Sequence, residues 1–188
     1  MRTKFIAVTG GIGSGKSTAI KIISDMGYKV ISADEVYKEL LSDKDFILQL
    51  NKIVGIYSDA FNRKIISDIV FQDRQKLESL NAFTHQKIMD KMFEKSIGER
   101  VVFHEVPLLF EGGFKGMYNQ IMVIMRDKNA RIEAVCSRSN LTREEVENRI
   151  NNQVNYDALN LENLTVIYND GDLEAFSKKV KNAVLKLV

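Results

Sequence analysis

The stretch that most restricts what this chain can fold into is Gly10-Gly11-Ile12-Gly13-Ser14-Gly15-Lys16-Ser17-Thr18, which satisfies G-x-x-x-x-G-K-[ST] with Gly10, Gly15, Lys16 and Ser17 in the fixed places. Its flanks agree with it. Lys4-Phe5-Ile6-Ala7-Val8 is a short apolar run of strand formers, and Ala19-Ile20-Lys21-Ile22-Ile23 continues as a helix. Strand, glycine-rich turn and helix in that order form a phosphate cradle. The glycines let the backbone turn its N–H groups toward one anion, where side chains would block the approach. The helix starting near Lys16 aims unpaired amides and the positive end of its dipole at the same point. Gly11, Ile12, Gly13, Ser14, Gly15, Lys16, Ser17 and Thr18 are therefore the expected nucleotide contacts. Lys16 is expected to reach the β- and γ-phosphates, and the Ser17 hydroxyl to ligate Mg²⁺.

Apolar runs predict strands near 4–8, 28–31, 101–104, 120–125 and 164–168, separated by helical patterns, and hence an α/β fold with a parallel sheet covered on both faces. With 188 residues and 45% hydrophobic content, one domain with insertions is expected. Its nucleotide-binding core comprises about 1–34, 99–125 and 156–188, with a helical insertion at 35–98 and a basic helical hairpin at 126–155. Within the insertion, Leu77, Leu80, Phe83, Ile88, Met92 and Ile97 recur at helical spacing and are expected to pack. Leu173, Phe176, Val180, Val184 and Leu187 are the expected inward face of the last helix. Thr142, with Glu145 three residues later, predicts a capping box.

The net charge of +2, with both signs interspersed, advertises no nucleic-acid partner. No stretch approaches the ~20 apolar residues of a membrane span, and the apolar run before the glycines is too short for a signal-peptide core. A soluble, cytoplasmic protein without a membrane partner is expected, as a monomer or weak homo-oligomer. The single Cys136 has no internal disulfide partner and falls in a predicted helix, as a buried or half-buried thiol.

Outside the loop, a few residues are placed for chemistry. Asp34 follows the second strand, and ligands of open α/β sheets bind at that edge, so its carboxylate could face the same crevice as the phosphate loop. Aspartate equally suits the N-cap of the following helix, and position alone leaves both roles open. Glu105 closes the third strand, where a carboxylate can help hold Mg²⁺ through water. On pattern alone, His104 fills a core position, His85 is a structural histidine in a helix, and Arg63 is a surface cation. Arg126, Lys128, Arg131, Arg138, Arg143 and Arg149 run through the basic hairpin. They either pair with Glu133, Glu144, Glu145 and Glu147, or close as a lid that brings arginines onto a transferring phosphoryl group.

Together, several stretches resemble the dephospho-coenzyme A kinase family nearly end to end. These are the glycine loop from Thr9, Val30-Ile31-Ser32-Ala33-Asp34, Asn62-Arg63, His85-Gln86-Lys87-Ile88, Pro107-Leu108-Leu109-Phe110-Glu111, Arg138, Arg149-Ile150 with Gln153, and Val166-Ile167-Tyr168-Asn169-Asp170-Gly171. The resemblance implies a P-loop NTPase-type three-layer fold with a five-stranded parallel sheet, a substrate-binding insertion and a lid. It implies ATP with Mg²⁺, and phosphorylation of the ribose 3′-hydroxyl of dephospho-coenzyme A. By that resemblance Asp34 is the general base, Arg63, His85, Leu108 and Leu109 line the acceptor pocket, Arg138 and Arg149 act from the lid, and Asn169 lies near the adenine.

The sequence also departs from the family pattern. Ser32 replaces the first Asp of an Asp-Ala-Asp run, Gln86 stands where Pro follows the histidine, and Glu105 replaces an Asp. Asn163-Leu164 replaces an Ala-Asp pair, and Ala134 falls where a lid arginine is common, with Arg131 one helical turn away as a candidate to compensate. Two rivals use the same loop. One is a kinase of another small acceptor, which fold alone does not separate. The other is a GTP-binding switch, whose Asn-Lys-x-Asp segment fails here at Asn51-Lys52-Ile53-Val54.

Overall fold

The computed structural model describes residues 3–188. Five apolar runs become five strands: β1 (Lys4–Thr9), β2 (Lys29–Ser32), β3 (Val101–Glu105), β4 (Gln120–Met125) and β5 (Thr165–Tyr168). Their order across the sheet is β2-β3-β1-β4-β5. β1 runs parallel to β3, with Lys4 opposite Val101 and Val8 opposite Glu105, and parallel to β4, with Ile6 opposite Gln120 and Thr9 opposite Val123. β5 extends the sheet in parallel beside β4. Ile6, Ala7, Val8, Val102, Phe103 and Ile121 through Met125 are all buried. Such unbroken apolar runs, without alternation, are what strands covered on both faces require. Strand order reverses beside β1, so the carboxyl end of β1 is a topological switch point, the place where ligands bind in open α/β sheets.

The helices are α1 (Lys16–Asp25), α2 (Ala33–Leu40), α3 (Lys44–Val54), α4 (Arg63–Gln72), α5 (Arg74–Glu94), α6 (Lys128–Arg138), α7 (Arg143–Asn151) and α8 (Leu173–Leu187). The chain divides into two compact units, one made of Met1–Ile31 with Gly98–Val188 and the other of Ser32–Ile97.

In the first unit, α1 and α8 pack on the sheet through Ile22, Ile23, Phe176, Val180 and Val184 against Ile6, Val8, Phe103, Met122 and Ile124. The α6–α7 hairpin has a smaller core of Ile132, Val135 and Val146, into which Ile12, Cys136, Leu141 and Ile150 pack. The capping box forms as expected, opening α7 at Thr142 with Glu145 reciprocating. Leu173 departs from the expected inward face and is 68% exposed, because as the first residue of α8 it precedes the turn that reaches the sheet.

In the second unit, Val36, Leu40, Phe46, Ile47, Leu50, Val54, Ile66, Met89 and Met92 form the buried apolar set. Asn51 is fully buried and donates from Nδ2 to the carbonyls of Ser58 at 2.7 Å and Ala60 at 3.0 Å, holding the segment after α3 in place. Here the expected apolar stripe is corrected. Leu77 and Ile97 are exposed, Met92 is buried as expected, and Met89 is buried beside it. The reason is that α5 serves three neighbours, α2, α3 and α4, so its cover does not follow one stripe, and Ile97 lies beyond its last turn.

Candidate active site

The phosphate loop occupies the switch point between β1 and α1. Gly15 is the N-cap of α1 at φ 102, a left-handed conformation that an L side chain adopts only under strain. A Cβ there would also sit 2.4 Å from Nδ2 of Asn169. Lys16 turns back over the loop and donates from Nζ to the carbonyls of Gly10 at 2.5 Å and Gly11 at 3.2 Å. The first turn of α1 carries no acidic side chain, so its amides and dipole meet an anion unopposed. The Ser14 hydroxyl is buried and has no hydrogen-bond partner among the described residues. A buried polar atom left in this way is costly unless a ligand pairs with it. The loop thus fits a polyphosphate.

For a divalent cation, the donors at hand are the exposed Ser17 hydroxyl, in the first turn of α1, and the half-buried Glu105 carboxylate, at the end of β3 level with Val8. One hydroxyl and one carboxylate match Mg²⁺, which completes its shell with phosphate oxygens and water. No cluster of three or more histidine, cysteine or acidic side chains suited to a metal occurs among the described residues.

Four further side chains meet the loop or the strand end that leads into it. Asn169 donates from Nδ2 to the Ser14 carbonyl at 2.9 Å, and its own N–H bonds the Met125 carbonyl at 2.8 Å. The Asp170–Lys179 ion pair and a 3.1 Å bond from Lys179 to the Tyr168 carbonyl steady that turn. Arg131 of α6 is buried and donates from Nε to the Ile12 carbonyl at 3.0 Å, while Gln153 Oε1 accepts from the Ile12 N–H at 2.8 Å. Tyr156, also buried, places its hydroxyl 3.2 Å from that of Thr9, and burial holds its phenol above the ordinary pKa.

Arg131 therefore faces the loop, with its Nε committed to the Ile12 carbonyl. Tyr156 carried no sequence signal, whereas Arg131 did: it lies four residues before buried Val135, on the apolar face of α6.

The other sequence candidates are positioned as follows. Arg138 ends α6 and Arg149 lies in the last turn of α7, both exposed. Leu108 is 42% exposed but Leu109 is fully buried, so only the first of the pair presents its side chain to solvent. In the second unit, Asp34 is exposed in the first turn of α2, whose N-cap position is taken by Ser32. The capping role left open for Asp34 is thus not the one it fills. Arg63 opens α4 behind its Asn62 cap and is exposed. Burial pushes the Tyr37 phenol up, and the Arg63 charge draws it partly back. His85 is half-buried, and desolvation lowers its pKa, which favours a neutral imidazole.

Comparison with known proteins then places the chain. The dephospho-CoA kinase family matches residues 4–175. The chain belongs to that family. A dephospho-CoA kinase of Fusobacterium nucleatum subsp. nucleatum is 32% identical over 188 residues, covering 96% of this chain and 97% of that one. Among solved structures, a Thermus thermophilus protein aligns over 100% of both chains with a TM-score of 0.83 at 28% identity. The dephospho-CoA kinase from Campylobacter jejuni aligns over 98% of this chain and 97% of its own, with a TM-score of 0.63 at 25% identity. The family pattern is thus carried on a five-stranded parallel sheet with the glycine loop at its switch point.

Proposed function

We infer that this chain transfers the γ-phosphoryl group of ATP to the ribose 3′-hydroxyl of dephospho-coenzyme A, giving coenzyme A and ADP. The observation that carries this reading is the family match from residue 4 to residue 175. The phosphate loop in that span brings together Lys16, folded back over the loop carbonyls, and a buried Ser14 hydroxyl without a hydrogen-bond partner among the described residues.

The acceptor oxygen bonds to the γ-phosphorus as the bond from that phosphorus to the β-phosphate oxygen breaks, and the acceptor proton passes to a base. Asp34, exposed and two residues beyond the end of β2, is read as that base. Little covalent work falls to the protein in phosphoryl transfer, so positioning and charge stabilisation supply most of the acceleration. The loop amides that are not bonded within the protein and the Lys16 ammonium are read as fixing the phosphates. Arg138 and Arg149 are read as lid cations that meet charge on the peripheral oxygens and help exclude water as an acceptor. Ser17 and Glu105 would hold Mg²⁺, which when bound neutralises phosphate charge.

Arg63, His85 and the exposed Leu108 are read as acceptor contacts, with neutral His85 able to hydrogen-bond without adding charge. Leu109 supports that turn from the core, and Asn169 sets the adenine side. The reading carries a cytoplasmic location with it.

Incubating the protein with γ-labelled ATP and a panel of acceptors tests the substrate. Label should appear in coenzyme A, and transfer to a nucleoside monophosphate or sugar acid in its place would overturn the assignment. Asp34→Asn should slow transfer about 10²–10⁴-fold with ATP binding kept, the usual loss for a general base. A rate within a few-fold of wild type would remove Asp34 from that role.

A further inference from the structure

We propose that Arg131 and Gln153 are positioning residues of the phosphate loop, gripping Ile12 by its N–H and its carbonyl and so setting the amides that receive the phosphates. The proposal rests on reading the loop as the nucleotide site.

Ile12 stands between Gly11 and Gly13, so its neighbours leave the backbone at its freest where a triphosphate needs it fixed. Three contacts remove that freedom. Gln153 Oε1 takes the N–H at 2.8 Å, and Arg131 Nε is donated to the carbonyl at 3.0 Å, which orients the peptide planes on both sides of the Ile12 Cα. The Ile12 side chain packs into the hairpin core of Ile132, Val135 and Val146. The surroundings are fitted to this grip. A Cβ on Gly11 would lie 2.6 Å from Nη2 of Arg131, and one on Gly13 would lie 2.5 Å from the Arg131 carbonyl oxygen.

The arginine is held there at a cost. It is only 7% exposed, burial lowers its pKa, and Asp157 and Tyr156 only partly oppose that. A buried guanidinium that bonds a backbone carbonyl is a poor device for stability alone, since an apolar residue would fill the same face of α6 more cheaply. It is a good device for fixing a peptide, because donors held in place before the ligand arrives need no reorganisation when charge develops.

The test compares Gln153→Met, Gln153→Glu, Arg131→Lys and the Gln153→Met/Arg131→Lys double variant with wild type, measuring ADP affinity by calorimetry and the KM of each substrate in the transfer assay. Methionine keeps the length of glutamine without an acceptor, and glutamate restores the acceptor. Gln153→Met should weaken ADP binding and raise the KM for ATP about three- to tenfold, the scale of one hydrogen bond, with Gln153→Glu recovering most of it. Arg131→Lys should cost about tenfold or more, because the lost donor is charged. The KM for the acceptor should not move, and the double variant should lose less than the product of the two, because both side chains act on one residue.

ADP affinities within twofold of wild type in both Gln153→Met and Arg131→Lys would overturn the proposal. So would a Gln153→Glu as weak as Gln153→Met, or acceptor and ATP KM values rising together. ADP binding needs no acceptor. A wild-type protein that binds ADP but transfers nothing to dephospho-coenzyme A therefore refutes the acceptor assignment and leaves the grip to be judged on ADP alone.

Discussion

Replacing His104 with glutamine should remove a pH dependence that the fold itself creates. His104 sits in β3 opposite Ala7 of β1, fully buried, with its ring centroid 5.8 Å from that of Phe5 and Nδ1 3.1 Å from the Tyr118 hydroxyl. Burial lowers its pKa from 6.5 to about 4. In the unfolded chain the imidazole regains its ordinary value of about 6.5. Between those two values the unfolded state holds a proton that the native state does not, so stability increases with pH across the window. The contribution is complete above about pH 6.5 and is lost on acidification at about 1.4 kcal/mol per pH unit. Over the whole window it comes to about 3 kcal/mol.

Urea unfolding of wild type and His104→Gln at pH 7.5, 6 and 5 reads this directly, because the other titrating groups are common to both proteins and cancel in the difference. The wild-type advantage should shrink by about 2 kcal/mol between pH 7.5 and pH 5. That is about 0.7 M in the difference of midpoints, for an m-value of about 3 kcal/mol/M. A difference that stays constant across those pH values would show that His104 binds its proton equally in both states, and the burial argument would fail.

Gly13→Ala forces an L side chain to φ 77, with its Cβ 2.5 Å from the Arg131 carbonyl oxygen and 3.0 Å from a Val135 methyl. Left-handed strain of about 1–2 kcal/mol plus displacement of α6 should lower kcat/KM for ATP by at least about tenfold in steady-state assays, and an unchanged value would refute this packing. Thr142→Ala removes the 3.2 Å bond that the Thr142 hydroxyl accepts from the Glu145 N–H and breaks the box. It should cost about 1 kcal/mol in denaturant titration, with no effect if α7 were opened by another residue.

The central strands β1, β3 and β4 were readable because they are covered on both faces and so appear as nearly unbroken apolar runs, and the edge strands β2 and β5 as shorter ones. β2 was expected at 28–31 and occurs at Lys29–Ser32, while β3 and β4 fall almost where the pattern put them. The capping box was readable for a related reason, since its two partners are three residues apart and need nothing else. The apolar face of α5 was not. A 3.6-residue period reports which side of a helix is apolar, but not which neighbour covers it or where along its length. Leu77 and Ile97 keep the period and lie outside the cover, and Leu173 fails for the same reason at the start of α8.

The site divides along the same line. The glycine loop announces itself because the strand, the turn and the helix that make it are consecutive, whereas the residues that hold Ile12 lie 119 and 141 positions away. No local pattern reports such distances. One trace of them was present: an arginine on the face of α6 that also carries Ile132 and Val135. A charge among apolar neighbours needs a partner, and the partner here is the Ile12 carbonyl. That assignment also decides a question of charge. At about 100° per residue, position 131 points about 60° away from position 134, enough to turn the guanidinium onto the backbone of the loop and away from the half-exposed face of Ala134. Position 134 itself therefore carries no cation, and Arg131 commits its Nε to the Ile12 carbonyl. The exposed Arg138 and Arg149 are left as the hairpin arginines on which charge neutralisation is proposed to rest, and lid substitutions there should act on transfer while those at 131 act on the grip of the nucleotide.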